Sequence, residues 1–258
     1  MNRSITIATP CFDESESLPV YFQRITDVRA KMMDAGWVVE HLLIDDGSRD
    51  NTAEMLDTYA RKHPNVRVIR HPHNFGYGGA IKTALALSKT DWVVFVDADT
   101  NYDQRLILKL IERIGPEIDI INVSILAPGG AAGYPWYRLV LSSIASTIYR
   151  VLLPRLTRGI YTMTCGFRVY RREVVPKIFP NADDFVATSE ILVRALQHRL
   201  RILEFPATNS RREQGVSKMR GLRVSLRHLS LTTKALTGML APPAAVETHL
   251  QRIGFHTT

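Results

Sequence analysis

Near its middle the chain reads DWVVFVDADTNYD, residues 91–103. An apolar run ends there in two carboxylates, Asp97 and Asp99, with Ala98 between them. Charge at the end of a buried strand is costly unless it is paired, hydrated or bound to a metal. A solvated turn is the plain explanation for a lone D-x-D. The chemical one is a hard divalent cation, Mg2+ or Mn2+, which takes one or two protein carboxylates and completes its shell with water and phosphate oxygens. A second acidic pair, Asp45 and Asp46 of LLIDDGSRDNT, ends another apolar run. These acids can accept from the donors of a base or ribose, or can serve only to build the turn before Gly47. NFGYGGAIKTAL (74–85) sets glycines at the opening of a helix, where they can also serve tight packing. It is not a Walker loop, since no GK[ST] follows. ATPCFDES after the first apolar run is not a dinucleotide G-x-G-x-x-G turn either, which argues against an oxidoreductase.

The elements that must carry these residues are legible as alternating patterns. SITIAT (4–9), VVEHLLID (38–45), VRVIR (66–70), WVVFVD (92–97) and IDIINVS (118–124) read as strands, and their unbroken apolar character suits strands covered on both faces. Helices are expected at about 16–34, 51–62, 79–88 and 104–114, the second opened by a capping box of Asn51 and Glu54. Such alternation predicts an α/β fold: a doubly wound, mostly parallel sheet with helices on both faces. Ligands of such sheets bind beyond the carboxyl ends of the strands. PCFDE, DDGS and DADTN all fall at such ends. The second half adds an amphipathic helix at 135–156, with Trp136, Leu139, Val140, Ile144, Ile148 and Val151 on one stripe. A strand at 167–172, a helix at 187–197, a strand over 201–212 and a basic amphipathic helix at 221–240 follow, and the remainder reads as a loose tail.

The chain has 258 residues, 45% of them hydrophobic, which is a globular composition with room for a large core. A formal charge of +8 and a pI near 9.7 favour an anionic partner. No aromatic-basic recognition pattern accompanies that charge, so nucleic acid is not the expected partner. Two distant cysteines, Cys11 and Cys165, point to a reducing compartment and to apolar packing, not to a zinc site or a nucleophile. His71 and His73 flank Pro72 in what reads as a solvated turn. The start lacks a signal-peptide pattern, and no run approaches the roughly 18 apolar residues of a membrane span. A cytoplasmic location, peripheral to a membrane, is the expectation.

Taken in order, PCFDESESL, LLIDDGSRDNT, NFGYGGAI, DADTN, TCGFRVYRREV and SRREQGVSK resemble the family 2 glycosyltransferases of GT-A fold. Within them the chain is most similar to dolichyl- and polyprenyl-phosphate sugar (mannose or glucose) synthases, over roughly residues 4–220. The resemblance implies a GT-A domain over 1–220 and a C-terminal amphipathic helix with its tail over 221–258. It implies that Pro10, Phe12 and Glu14 hold the nucleotide, that Ile44 and Asp46 line base and ribose, and that Asp97, Ala98, Asp99 and Asn101 meet diphosphate and metal. Arg212 and Lys218 would close over the phosphates, unless they form only a solvated basic loop. Arg138 and Ser142 would bind an acceptor phosphate, with Arg138 as a polar-face residue the alternative. The run NVSILAPGG departs from the family by placing Ile125 where an arginine is usual.

The implied reaction is metal-dependent, inverting transfer of a sugar from a nucleotide-diphosphate sugar to a polyprenyl or dolichyl phosphate. Asp99, Arg138, Lys218 and Glu190 are its candidate catalytic residues. A phosphate acceptor is already an anion and needs positioning, whereas a hydroxyl acceptor needs a carboxylate base. Glu190 in ATSEIL is the candidate base for that alternative. A catalytically silent nucleotide-sugar-binding subunit that recruits a membrane-embedded partner is the reading from another class. The two amphipathic helices, with arginine on their polar faces, suit an anionic membrane surface.

Overall fold

A computed structural model of the chain describes residues 3–99, 101–132, 136–209 and 221–255, with side chains except at 131–132, 136–141, 209 and 221–225. Strand and helix alternate from the start: β1 (Ser4–Cys11), α1 (Leu18–Asp34), β2 (Val38–Asp45), α2 (Thr52–Lys62), β3 (Val66–Arg70), α3 (Tyr77–Leu87), β4 (Trp92–Phe95) and α4 (Leu106–Ile111). The cause is spacing. Leu18, Tyr21, Ile25, Val28 and Met32 recur every three or four residues and form the buried stripe of α1. β1 and β4 are buried almost throughout, as strands with helices on both faces must be. The cap of α2 is not the expected box. Asn51 makes no side-chain cap, and Asp50 Oδ1 instead accepts from the Thr52 amide at 3.0 Å.

The sheet has seven strands in the order β3-β2-β1-β4-β7-β5-β8, where β5 is Ile120–Ser124, β7 is Arg168–Arg171 and β8 is Ile202–Pro206. β1 to β4 are mutually parallel, β7 runs antiparallel to both β4 and β5, and β8 is parallel to β5. A two-strand ribbon of β6 (Ala131–Ala132) and β9 (Thr208–Asn209) lies apart from it. One face is covered by α1, α2 and α4 around Ile5, Ile7, Val94 and Val169. The other is covered by α3, by α6 (Val175–Ile178) and by α7 (Val186–Gln197), around Ala8, Leu42, Val93 and Tyr170. From β1 the chain builds outward to β2 and β3, then returns to place β4 on the opposite flank of β1. That reversal opens a crevice at the carboxyl ends of β1 and β4, the usual ligand position in such sheets.

α5 (Trp136–Leu152) and α8 (Gly221–Leu236) pack together and onto α7, with Tyr149, Leu153, Leu192, Val193 and Leu231 buried between them. The Tyr149 hydroxyl lies 2.9 Å from His228 Nδ1 across that seam. Of the apolar stripe read from the sequence of α5, the side chains of Ile144, Ile148 and Val151 are described. Ile144 and Val151 are 52% and 68% exposed, while Ser146 and Tyr149 point inward. The loose tail is also corrected. A last helix, α9 (Val246–Arg252), lies against α3 and buries His249, Leu250 and Ile253.

Candidate active site

The turns after β1 and β2 are laced together by side chains. The Asp13 amide donates to Ser48 Oγ at 3.1 Å, Glu14 N to Thr52 Oγ1 at 2.8 Å, and Arg49 N to Asp13 Oδ1 at 2.7 Å. Ser15 N donates to Asp50 Oδ2 at 3.1 Å, and Asp46 N to the Cys11 carbonyl at 2.8 Å. Asp13 has φ 48°, a left-handed conformation that aspartate tolerates better than most residues. The result is a rigid double turn that leaves Phe12 and Glu14 half-buried, with Glu14 Oε2 accepting from Ser17 Oγ at 2.7 Å. Pro10 is buried, and Ile44 is wholly buried in the core beside Leu42 and Ala80. The side chain of Ile44 therefore does not line a nucleotide; a β2 residue flanked by helices on both faces has no open side.

Asp46 is also corrected. It is 3% exposed; Oδ1 accepts from His71 Nδ1 at 2.7 Å and the Phe75 amide at 2.8 Å, and Oδ2 from the Gly76 amide at 2.9 Å. Its acceptors shape the glycine-rich segment instead of facing a ribose. Asp45 is a turn builder, with Oδ1 accepting from Ser48 N at 3.0 Å. His71, expected in solvent, is buried because it bridges Asp46 to Thr83.

Asp97 and Asp99 follow β4 and are both half-buried, with Ala98 turned into the core between them. Tyr77 Oη donates to Asp97 Oδ1 at 2.8 Å, and the Asn101 amide donates to Asp99 Oδ1 at 3.2 Å. Burial pushes the Tyr77 phenol well above its ordinary pKa, and the Asp97 charge pushes it the same way, so it stays protonated as a donor. Among the described residues no three His, Cys, Asp or Glu gather as a complete metal cage. Two oxygen ligands at a crevice suit a hard cation that shares its shell with a diphosphate, so the residues fit Mg2+ or Mn2+.

On the acceptor side, Ser142 Oγ lies 2.9 Å from Thr164 Oγ1, joining α5 to the TMTCGF loop before β7. Arg138 sits in the first turn of α5, with its side chain outside those described. Arg212 and Lys218 lie outside the described residues. Ile125 is 6% exposed, so the usual arginine is replaced by a core residue. Glu190 is the clearest correction. It is 3% exposed; its oxygens accept from the Asn181 and Ala182 amides, both at 2.9 Å, and from Arg194 at 2.6 Å. It caps a loop and neutralises a buried guanidinium, so it is not placed to act as a base. Cys11 and Cys165 are buried as expected, and burial raises the Cys165 thiol.

Sequence reasoning missed Arg168 and Tyr77. Arg168 is wholly buried, and its guanidinium donates to Asn122 Oδ1 at 2.5 Å, to the Met163 carbonyl at 3.0 Å and to the Thr188 carbonyl. It thereby fixes the TMTCGF loop. Its strand is buried on both faces, so no alternation marks the residue. An aromatic between glycines was the available signal for Tyr77.

The sequence model of glycosyl transferase family 2 matches residues 6–179. Polyprenol monophosphomannose synthase of Mycolicibacterium smegmatis is 32% identical over 231 residues, covering 84% of this chain and 82% of that protein. Dolichol-phosphate mannosyltransferase of Pyrococcus furiosus is 31% identical over 228 residues, covering 87% of this chain and 62% of that protein. Among solved structures, glucosyl-3-phosphoglycerate synthase from Mycobacterium tuberculosis, in complex with Mn2+, UDP and glucosyl-3-phosphoglycerate, superposes with a TM-score of 0.64 at 19% identity. It covers 99% of this chain and 82% of that one. At that identity the likeness is one of fold.

Proposed function

The chain belongs to glycosyl transferase family 2 and has the GT-A fold, and we propose that it transfers a hexose from a nucleotide-diphosphate sugar to a polyprenyl phosphate lipid. The observation that carries the donor half is the position of Asp97 and Asp99, beyond β4 and beside the β1 turn at the reversal of strand order. A divalent cation held there neutralises charge that develops on the leaving diphosphate. The protein's own contribution is orientation: the laced β1 and β2 turns bring Phe12 and Glu14 to one wall, and Tyr77 and Asn101 restrain the two aspartates. Arg212 and Lys218, in the R-x-x-G-x-S-K pattern, are assigned to the phosphates of the donor.

The acceptor half rests on Glu190. With both its oxygens held by amides and Arg194, the carboxylate that a hydroxyl acceptor requires is absent from its expected place. A phosphate acceptor needs no proton removed, only a cation to position it, and Arg138 with Ser142 at the start of α5 is assigned that role. In-line attack then inverts the anomeric centre. The names of the relatives, polyprenol monophosphomannose synthase and dolichol-phosphate mannosyltransferase, agree with a polyprenyl phosphate.

Among the described residues no helix is long and apolar enough to cross a membrane. For a lipid acceptor, α5 with α8 offers a surface. Leu226, Leu229, Leu236, Ile144 and Val151 stand exposed on these two packed helices, beside Arg150, Arg227 and Lys234. Such a face suits peripheral binding to an anionic leaflet, by this chain alone or with a membrane-embedded partner. The function is tested by incubating the protein with Mn2+, radiolabelled nucleotide sugars and polyprenyl phosphate, and following label into the organic phase. Lipid-linked product is expected; binding of nucleotide sugar without turnover would instead mark a silent subunit.

A further inference from the structure

α9 lies beyond the stretch matched by the family model, yet it grips the segment that leads to the paired aspartates. Leu250 and Ile253 close an apolar cluster on Phe75, and the Arg252 guanidinium lies 4.8 Å over the Phe75 ring. Arg252 also donates to Asp183 Oδ2 at 2.7 Å, while buried Lys82 takes Oδ1. The Asp183 carbonyl in turn accepts from the Gly78 and Gly79 amides at 2.8 and 3.2 Å. A second connection runs through the interior. His249 Nε2 lies 2.9 Å from Thr83 Oγ1, which lies 2.7 Å from His71 Nε2, and His71 Nδ1 lies 2.7 Å from Asp46 Oδ1. The Thr83 hydroxyl donates its single proton to the Gly79 carbonyl at 3.1 Å, so Thr83 ties both imidazoles to the first turn of α3. Asp46 then receives the Phe75 and Gly76 amides.

Both connections end on residues 75–79, and Tyr77 stands at their centre. Its ring stacks on Phe185 at 4.8 Å and 18°, and its hydroxyl donates to Asp97 Oδ1 at 2.8 Å. Two glycines make room for this. Gly76 has φ +86°, and a Cβ there would overlap the Asp183 carbonyl; a Cβ at Gly166 would overlap the Tyr77 hydroxyl. A donor fixed on one oxygen restricts the carboxylate to one orientation, and partners of this kind typically change metal affinity about ten- to a hundredfold when removed.

We propose that Tyr77 is a positioning residue for Asp97, and that α9, through His249 and Arg252, holds residues 75–79 where the Tyr77 hydroxyl meets that carboxylate. The inference rests on Asp97 and Asp99 being the ligands of a divalent cation and a diphosphate. It is tested by calorimetry of UDP and of GDP, each with Mn2+ and with EDTA, on the full chain. The variants are Tyr77→Phe, the double substitution His249→Ala with Arg252→Ala, and all three changes together. Tyr77→Phe keeps the stack on Phe185 and should lose about ten- to a hundredfold of the Mn2+-dependent affinity, with binding in EDTA unchanged. The double variant should lose affinity in the same direction. The combined variant should be no weaker than Tyr77→Phe, because coupled residues do not add. Hydrogen exchange of the ligand-free protein should speed at the Phe75, Gly76, Gly78 and Gly79 amides in the double variant, and Arg252→Lys should restore part of the protection. Failure of the unmodified protein to bind either nucleotide with Mn2+ would overturn the reading of the site and this inference with it. Normal binding by the unmodified protein with equal affinity in Tyr77→Phe would overturn the inference alone. Additive losses, or unchanged exchange in the double variant, would overturn the role of α9.

Discussion

At the scale of single residues, the carboxylates divide by burial. Asp46 is buried against His71 and two amides and Glu190 against two amides and Arg194, whereas Asp97 and Asp99 are half-buried at a crevice. Asp99→Ala should therefore abolish Mn2+-dependent nucleotide binding while leaving the unfolding midpoint near that of the parent, checked by calorimetry and urea titration. Unchanged metal-dependent affinity in the folded variant would remove Asp99 from the site. Arg138→Ala should slow transfer about ten- to a hundredfold with donor affinity preserved, the value of a charge-assisted hydrogen bond of about 1.5–3 kcal/mol. Glu190→Gln belongs to stability instead. It leaves the Arg194 guanidinium buried beside a neutral partner, and the side chains of both residues are 4% exposed. The expected loss is about 3 kcal/mol of folding free energy in urea unfolding, with transfer by the folded fraction little changed. A stable but inactive Glu190→Gln would restore the hydroxyl-acceptor alternative.

At the scale of elements, α5 and α8 each show two kinds of face. The inward faces, with Tyr149, Leu153, His228 and Leu231, bind the pair to α7. The outward faces carry apolar residues that a purely structural helix would replace with polar ones. Val151→Asp with Leu229→Asp and Leu236→Asp should eliminate co-flotation with anionic vesicles. Thermal stability should change little, because those side chains are 68%, 46% and 58% exposed. Raised salt should weaken binding by the parent without abolishing it, since screening removes the electrostatic part alone. Full flotation of the triple variant would leave the exposed residues without a membrane role.

At the scale of the whole molecule, buried histidines set an acid limit on stability. Burial lowers His41 well below its ordinary value, lowers His228, and brings His249 down to about 4. Above about pH 6.5 these groups are neutral both folded and unfolded, so their full stability is present. Between about 6.5 and 4 the unfolded chain binds protons that the folded chain refuses, and stability falls as pH falls. Urea midpoints should thus decline from pH 7 to pH 5, and His249→Gln should flatten the decline; a midpoint independent of pH in that range would contradict it. The sequence by itself determined the alternation of strands and helices, the acidic turns at strand ends and the family, because apolar period and motif order are local properties. It also placed Asp97 and Asp99 together, since one intervening residue leaves them little freedom to part. It could not assign Asp46 or Ile44, whose surroundings come from segments distant in sequence, His71 and Gly76 for the first. The partners of Glu190, Arg194 one helical turn on and the 181–182 amides, are near in sequence, but its burial with them is set by the packing of α7. Nor could it dock the C-terminal helix. The residues VETHLQR carry too little apolar surface to announce a core element, and only the packed sheet brings Phe75, Thr83 and Asp183 to where Leu250, His249 and Arg252 can meet them. Tertiary structure alone decided that, because burial is a property of the whole chain and not of any segment.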